Sequence, residues 1–218
     1  MKIGLYGGSF NPVHYGHLNV ARSAIETLGL DRLFVIPANV SPFKVGSDDK
    51  NGGAGKIYEW ADRLTMVKSV FASEDKVEVD DRELKRGGVS YAIDTVREYA
   101  GRFTDAEIFF IIGEDSVAGL PRWKDYEELK KLCTFISFPR TKESSTEIRE
   151  FFAAADVRVN PDSTIVAVVR DGLIRKGGFC PCRLPRSPQF FCPCDEFKTQ
   201  MKNPEFHGFC HCRLYEKR

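Results

Sequence analysis

The sequence has no long apolar run. No stretch approaches the roughly 18 residues that a membrane-spanning helix requires, so a membrane protein is not expected. Charge of one sign is also lacking: 32 Lys and Arg face 31 Asp and Glu, for a formal net charge of +1. A domain built to hold nucleic acid shows a clear basic excess, so no nucleic acid partner is expected. A secretory leader pattern is absent too. The opening Met1-Lys2-Ile3-Gly4-Leu5-Tyr6-Gly7-Gly8 turns to glycine too early for one, and a cytoplasmic location is expected. Cysteine is scarce over most of the chain: six of the seven fall between Cys180 and Cys212. Clustered cysteines in a cytosolic chain point to metal or redox chemistry more than to a disulfide framework.

What is present is ordinary for a globular protein: 218 residues, 42% of them hydrophobic and 29% charged. That length corresponds to about one and a half domains. The composition changes along it. The front is rich in Val, Ile, Leu and Ala with regular periodicity, whereas from about Gly177 the chain is Cys, Pro, Phe and Arg with little periodicity. Two modules are expected, over residues 1–140 and 141–218.

In the front module, short apolar runs alternate with helical spacing. Strands are expected at Lys2–Tyr6, Leu33–Ile36, Val77–Val79, Ile108–Ile112 and Thr134–Phe138. Between them, Leu18, Ala21, Ile25 and Leu28 share a helix face. So do Leu64, Val67, Val70 and Phe71, then Ile93, Val96 and Tyr99, then Tyr126, Leu129 and Leu132. This alternation implies an α/β fold with a Rossmann-like parallel sheet and helices on both faces. Ligands bind such sheets beyond the carboxyl ends of the strands. Gly46–Gly55 has almost nothing to bury and reads as a surface loop. Cys133 reads as a buried small hydrophobe.

The first strand end runs Gly7-Gly8-Ser9-Phe10-Asn11-Pro12-Val13-His14-Tyr15-Gly16-His17. Glycines let backbone approach a ligand closely. A helix beginning near His14–His17 would aim free N–H groups at an anion, and two imidazoles three residues apart would share one helix face. That combination suits a phosphate group under attack. Capping or core histidines are the plainer alternative.

These residues resemble the signature of the HxGH nucleotidylyltransferases, and the surrounding text is similar to the bacterial nicotinate mononucleotide adenylyltransferases. Pro37-Ala38-Asn39-Val40-Ser41-Pro42-Phe43-Lys44 resembles that family's segment after strand two. The run from Arg82 to Thr95, with Ser90-Tyr91 inside it, resembles the segment for the nicotinate nucleotide. Gly113-Glu114-Asp115-Ser116 with Leu120-Pro121-Arg122-Trp123 resembles its GxDS…LxxW segment. The resemblance implies adenylyl transfer from ATP to nicotinate mononucleotide, with Mg²⁺ accompanying the chemistry. It implies that His14 and His17 hold the ATP phosphates, His17 facing the transition state, and that Lys44 adds charge there. Asp115 would meet the ATP ribose or a metal ion. Trp123 and Tyr91 would face the nicotinate ring in a pocket shaped by Ser90 and Thr95. Gly8, Ser9, Phe10, Asn39 and Gly113 complete the implied contacts. The family's long stretch between its fifth strand and a final SSTxIR motif is missing. Thr134–Arg140 runs almost directly into Ser144-Ser145-Thr146-Glu147-Ile148-Arg149, where Ser144 and Glu147 also form a capping box.

The tail reads Cys180-Pro181-Cys182, Cys192-Pro193-Cys194 and Cys210-His211-Cys212. A zinc site takes four ligands and leaves two cysteines over. A four-cysteine [4Fe–4S] cluster with a neighbouring thiol pair uses all six, and a disulfide knot is a third possibility. The pattern resembles the catalytic subunit of ferredoxin–thioredoxin reductase. The likeness includes the lead-in Asn160-Pro161-Asp162 and the closing Arg213-Leu214-Tyr215, with the longer gap here preceding the CHC motif. It implies a small, mostly α-helical domain opened by a helix over Ser144–Ala155. Cys180, Cys192, Cys194 and Cys210 would bind the cluster. Cys182 and Cys212 would form a redox-active disulfide, with His211 assisting proton transfer. A ferredoxin-like donor and a thioredoxin-like disulfide substrate would be the partners. Arg183 and Arg213, each directly following one of the pair, are expected either to lower its thiol pKa or to be solvated surface charge. The alternative is a degenerate nucleotide-binding module fused to a working reductase.

Overall fold

A computed structural model describes residues 1–44, 59–139 and 144–218. The loop expected at Gly46–Gly55 and the domain boundary expected at 140/141 lie outside the described residues. The chain divides into two compact units. One comprises Met1–Phe10, Gly16–Asp49 and Glu74–Lys142, and the other Asn11–Tyr15, Lys50–Ser73 and Glu143–Arg218.

The first unit is a five-stranded sheet. Its strands are β1 (Lys2–Gly8), β2 (Arg32–Pro37), β3 (Val77–Val79), β4 (Glu107–Gly113) and β5 (Thr134–Phe138). Their order is β3-β2-β1-β4-β5, and every pair is parallel. The chain winds outward from β1 to β3 and then returns to β4 on the other side of β1. The topological switch point, where such sheets hold ligands, therefore lies between β1 and β4. The crossover segments include α1 (Tyr15–Leu28), which follows β1. After α2 (Trp60–Phe71), which lies in the second unit, come the short α3 (Arg82–Arg86) and α4 (Ala92–Arg102) between β3 and β4. The single-turn α5 (Glu114–Val117) and α6 (Tyr126–Leu132) complete the set.

The sheet is buried on both faces, which is why its strands are apolar runs rather than alternating ones. Ile3, Leu5, Phe34, Ile36, Phe110 and Ile112 pack with Ile93, Val96 and Tyr99 of α4 in one cluster. Burying each large side chain contributes about 1.5–3 kcal/mol. Cys133 belongs to this cluster and donates its thiol to the Leu129 carbonyl. Burial pushes that thiol up to about 12, so it is a core residue.

The regular structure of the second unit is mainly helical, as expected, with three short strands that the sequence did not indicate. Helices α7 (Ser145–Ala154), α8 (Ser163–Arg175) and α9 (Asp195–Lys202) accompany three short strands. These are β6 (Val157–Val159), β7 (Gly208–Phe209) and β8 (Tyr215–Lys217), joined antiparallel in the order β6-β8-β7. The expected helix over Ser144–Ala155 is α7. Ser144 caps it, accepting from the Glu147 amide at 3.1 Å and donating to the Glu147 carboxylate at 3.0 Å. Asp162 caps α8, its side chain accepting from the Thr164 and Ile165 amides. No described helix is long and apolar enough to cross a membrane.

Candidate functional sites in the two units

Beyond the carboxyl ends of β1 and β4 the first unit opens into a cavity of about 410 Å³. That is within the usual range for a small-molecule site. Among the residues expected to bind, it brings together Gly8, Ser9, Ser90, Tyr91, Gly113 and Trp123. Trp123 stands edge-on to Phe110 and to Phe135, each with ring centroids 5.8 Å away, and Phe43 lies 6.2 Å from it. One aromatic wall is thus both core and pocket lining, so the two readings of Trp123 hold together. Opposite in charge character, Lys124 sits 4.6 Å from the Tyr91 ring.

Asn39 and Thr95 act behind the cavity wall. The Asn39 amide donates to Ser90 Oγ at 2.9 Å, and Asn39 Nδ2 donates to the Gly88 carbonyl at 2.9 Å. Thr95 is buried and donates its hydroxyl to Glu83 Oε1 at 2.5 Å. Glu83, which the sequence reading overlooked, is itself buried and lines the cavity. Burial raises its carboxyl above the usual range, and hydrogen bonds from Thr95 and Ser90 offset part of that rise. The only sequence signal for it was a charged residue within an otherwise substrate-like segment.

Phe10 is buried at a left-handed φ of 43° and its ring lies 4.9 Å from that of His17. It supports the imidazole from behind, which accounts for a strained conformation that a non-glycine residue seldom adopts. His17 lies in the first turn of α1, while His14 is buried one residue ahead of the helix rather than on it. At the end of β4, Asp115 folds back over Gly113. A Cβ on Gly113 would stand 2.5 Å from Asp115 Oδ1, so a larger residue there would displace the carboxylate from this position. Lys44 ends a short 3₁₀ turn over Pro42–Lys44, and its side chain lies outside the described residues.

In the second unit the motif Ser144–Arg149 reaches the loop after β1. Ser145 Oγ donates to the Pro12 carbonyl at 2.8 Å, and Arg149 donates to the Asn11 carbonyl at 2.6 Å. Sequence separations of 133 and 138 residues conceal such bonds from any local reading.

The cysteine motifs are brought side by side. The Cys180 amide donates to the Phe190 carbonyl at 2.7 Å, and the Cys192 amide donates to the Gly178 carbonyl at 3.0 Å. The third motif is held by the lead-in: Asn160 Nδ2 donates to the Arg213 carbonyl at 2.7 Å. Helix α8 approaches the first motif so closely that a Cβ on Gly172 would stand 2.8 Å from Pro181. Cys180, Cys194, Cys210 and Cys212 are buried, Cys192 is half-buried and Cys182 is exposed. The Cys210 and Cys212 sulfurs are 3.5 Å apart. Hydrogen bonds from Cys194 and Cys212 hold the Cys180 thiol well below its usual range, and one from Cys212 brings Cys210 down to about 6. Burial and the neighbouring Cys180 raise Cys182, and these outweigh Arg183, whose guanidinium is paired with Glu196. The expected lowering by Arg183 is present but smaller than these two effects, so the thiol is raised overall. Among the described residues no group of three or more His, Cys, Asp or Glu has the arrangement of a metal-holding site.

Comparison with known proteins bears on the first of these sites. The sequence model for the cytidylyltransferase-like family matches residues 5–167, a stretch that ends ahead of the six tail cysteines. A "probable nicotinate-nucleotide adenylyltransferase" of Shouchella clausii is 38% identical over 165 residues, covering 76% of this chain and 82% of that protein. One of the same description from Opitutus terrae is 40% identical over 140 residues, covering 64% and 68%. The solved structure of Plasmodium falciparum nicotinic acid mononucleotide adenylyltransferase complexed with NaAD aligns at a TM-score of 0.52. It is 18% identical, over 69% of this chain and 83% of that one, a likeness of fold.

Proposed function

This chain belongs to the cytidylyltransferase-like family, and on that premise we propose that it transfers the adenylyl group of ATP to nicotinate mononucleotide. A phosphate oxygen of the mononucleotide forms a bond to the α-phosphorus, the bond from that phosphorus to the bridging oxygen breaks, and pyrophosphate leaves. No covalent bond to the protein is needed, so catalysis is positioning and charge stabilisation. The observation that carries this reading is the cavity beyond β1 and β4, with Trp123 and Tyr91 on its wall and Gly8 and Gly113 at the strand ends. A nicotinate ring suits the aromatic wall. The glycine edges admit phosphates to the backbone amides, and His17, braced by Phe10, donates to the oxyanion. Mg²⁺ enters with ATP as the counter-ion of its phosphates. We assign Ser144–Arg149 to this reaction as well, because Ser145 and Arg149 hold the carbonyls of Asn11 and Pro12.

We further propose that the tail is a thiol–disulfide module with a [4Fe–4S] cluster. What supports it is the chemistry of the donors and not their arrangement: Cys180, Cys194 and Cys210 are buried among Phe197, Met201 and Leu214, with Cys192 packed against them, but among the described residues they are not gathered as a metal site requires. These four would hold the cluster, which when bound supplies electrons one at a time. Cys182, exposed, and Cys212 are the thiols left for exchange with a partner disulfide, and His211 stands between Cys210 and Cys212 in sequence to relay a proton. A ferredoxin-like protein would be the donor and a thioredoxin-like disulfide the substrate.

The test of the first proposal is to incubate the purified chain with ATP and either nicotinate or nicotinamide mononucleotide and follow products by mass spectrometry. Nicotinate adenine dinucleotide formed in step with pyrophosphate is expected. No dinucleotide from either mononucleotide would leave a degenerate nucleotide-binding module fused to a reductase. Iron and sulfide assays on anaerobically purified protein test the second. About four irons are expected, whereas stoichiometric zinc would replace the cluster with a structural zinc site.

A further inference from the structure

The compact unit that contains the cysteine motifs also contains Asn11–Tyr15, the middle of the first-strand loop with its His14. The contacts there are specific. The Tyr15 ring stands edge-on to Phe179, with centroids 6.2 Å apart, and edge-on to Phe191, at 5.8 Å. Phe179 and Phe191 stand edge-on to each other at 5.3 Å. Three rings thus close a triangle in the geometry that aromatic quadrupoles favour. Phe179 immediately precedes Cys180 and Phe191 immediately precedes Cys192, and a backbone bridge pairs the two phenylalanines. Two and three residues before Tyr15, Val13 and Pro12 line a small apolar cavity together with Phe191, Cys192 and Pro193. Ser145 and Arg149 fix the carbonyls of the same loop from α7.

We infer that the aromatic triangle of Tyr15, Phe179 and Phe191 positions the Asn11–Tyr15 loop, and with it His14, so that the cysteine-rich tail sets the course of the histidine loop. Tyr15 lies between His14 and His17 in the chain, so its ring is the handle through which the tail sets the loop's course. None of the three residues meets the reacting atoms; each acts through the backbone that carries the imidazoles. A misplacement of about 1 Å at such a site is enough to reduce turnover by some two orders of magnitude. This inference rests on the adenylyl-transfer reading for its kinetic consequence, but the positioning itself is open to a measurement that needs no turnover.

The experiment compares the full-length protein with Tyr15→Leu, which removes the ring, and Tyr15→Phe, which keeps it. Backbone hydrogen exchange over residues 11–17 is measured alongside kcat and KM. In Tyr15→Leu, exchange in that segment should accelerate at least tenfold, and kcat should fall about tenfold or more with KM for the mononucleotide changed less than twofold. Tyr15→Phe should restore both towards wild type. Phe191→Leu, made from the other side of the triangle, should reproduce the Tyr15→Leu pattern. Unchanged exchange over 11–17 in both leucine variants would overturn the inference. So would a loss in Tyr15→Phe equal to that in Tyr15→Leu, or an effect confined to KM. If the wild type forms no dinucleotide, the adenylyl-transfer reading fails, and the exchange measurements still decide whether the triangle holds the loop.

Discussion

The two units bury different chemistry. In the first, the core is aliphatic and aromatic side chains on strands of up to seven residues, packed under a long helix. In the second, Cys180, Cys194, Cys210 and Cys212 stand among the buried residues, and its strands are two or three residues long. The first unit is organised by the hydrophobic pattern of its sequence, whereas the core of the second is built in part from its cysteines.

Removing a cysteine should therefore be the harshest way to break this contrast. Cys194→Ser removes a buried sulfur that touches Cys180 and precedes α9. On the cluster proposal the variant should lose its iron and visible absorption, and exchange over residues 11–17 should accelerate, while residues 1–8 and 18–44 keep native amide protection. Full retention of iron would show that Cys194 is not a ligand. In the first unit, His17→Ala should cost about 3 kcal/mol of transition-state stabilisation, the size lost with other preorganised donors, seen as a fall in kcat of more than a hundredfold. Turnover within a factor of three of wild type would remove His17 from the chemistry.

How much of this was open to a reader of the sequence differs between the units for the same reason. Thr134–Phe138 is observed as the strand that its apolar run indicates, and β2 stops at Pro37 because proline cannot continue the ladder. Long periodic segments such as α1 and α4 are equally plain. The short α3 and α5 carry too few turns to show a period. Strands as brief as Gly208–Phe209 have no alternation to read. Among the site residues, glycines and histidines announce themselves by spacing. Glu83 does not, since a buried carboxylate is recognisable only once Thr95 and Ser90 are seen around it. The bonds from Ser145 and Arg149 to the first loop join distant segments and leave no local trace.

Two smaller effects sharpen the comparison. The Glu83 carboxyl is raised in the folded protein, so between its unfolded value near ~4.3 and its folded value the native state binds the extra proton. Stability should therefore be greatest below that window and decline as pH rises through it. Urea titrations from acid to neutral pH should show this decline in wild type and a shallower one in Glu83→Gln. An unchanged slope would mean that the carboxyl titrates normally. In the second unit, Asp162→Ala should cost about 1 kcal/mol by removing the cap of α8, measured by the same titrations. A cost near zero would show that the helix start is held by Asn160 and the third cysteine motif instead.

The most direct measurement follows the phosphorus. The wild-type chain is incubated with nicotinate mononucleotide and ATP labelled at either the α- or the γ-phosphate. The account predicts that the α label enters the dinucleotide and that the γ label leaves as pyrophosphate, with both lost in His17→Ala. Release of the γ label as inorganic phosphate, with no α label in a dinucleotide, would contradict it.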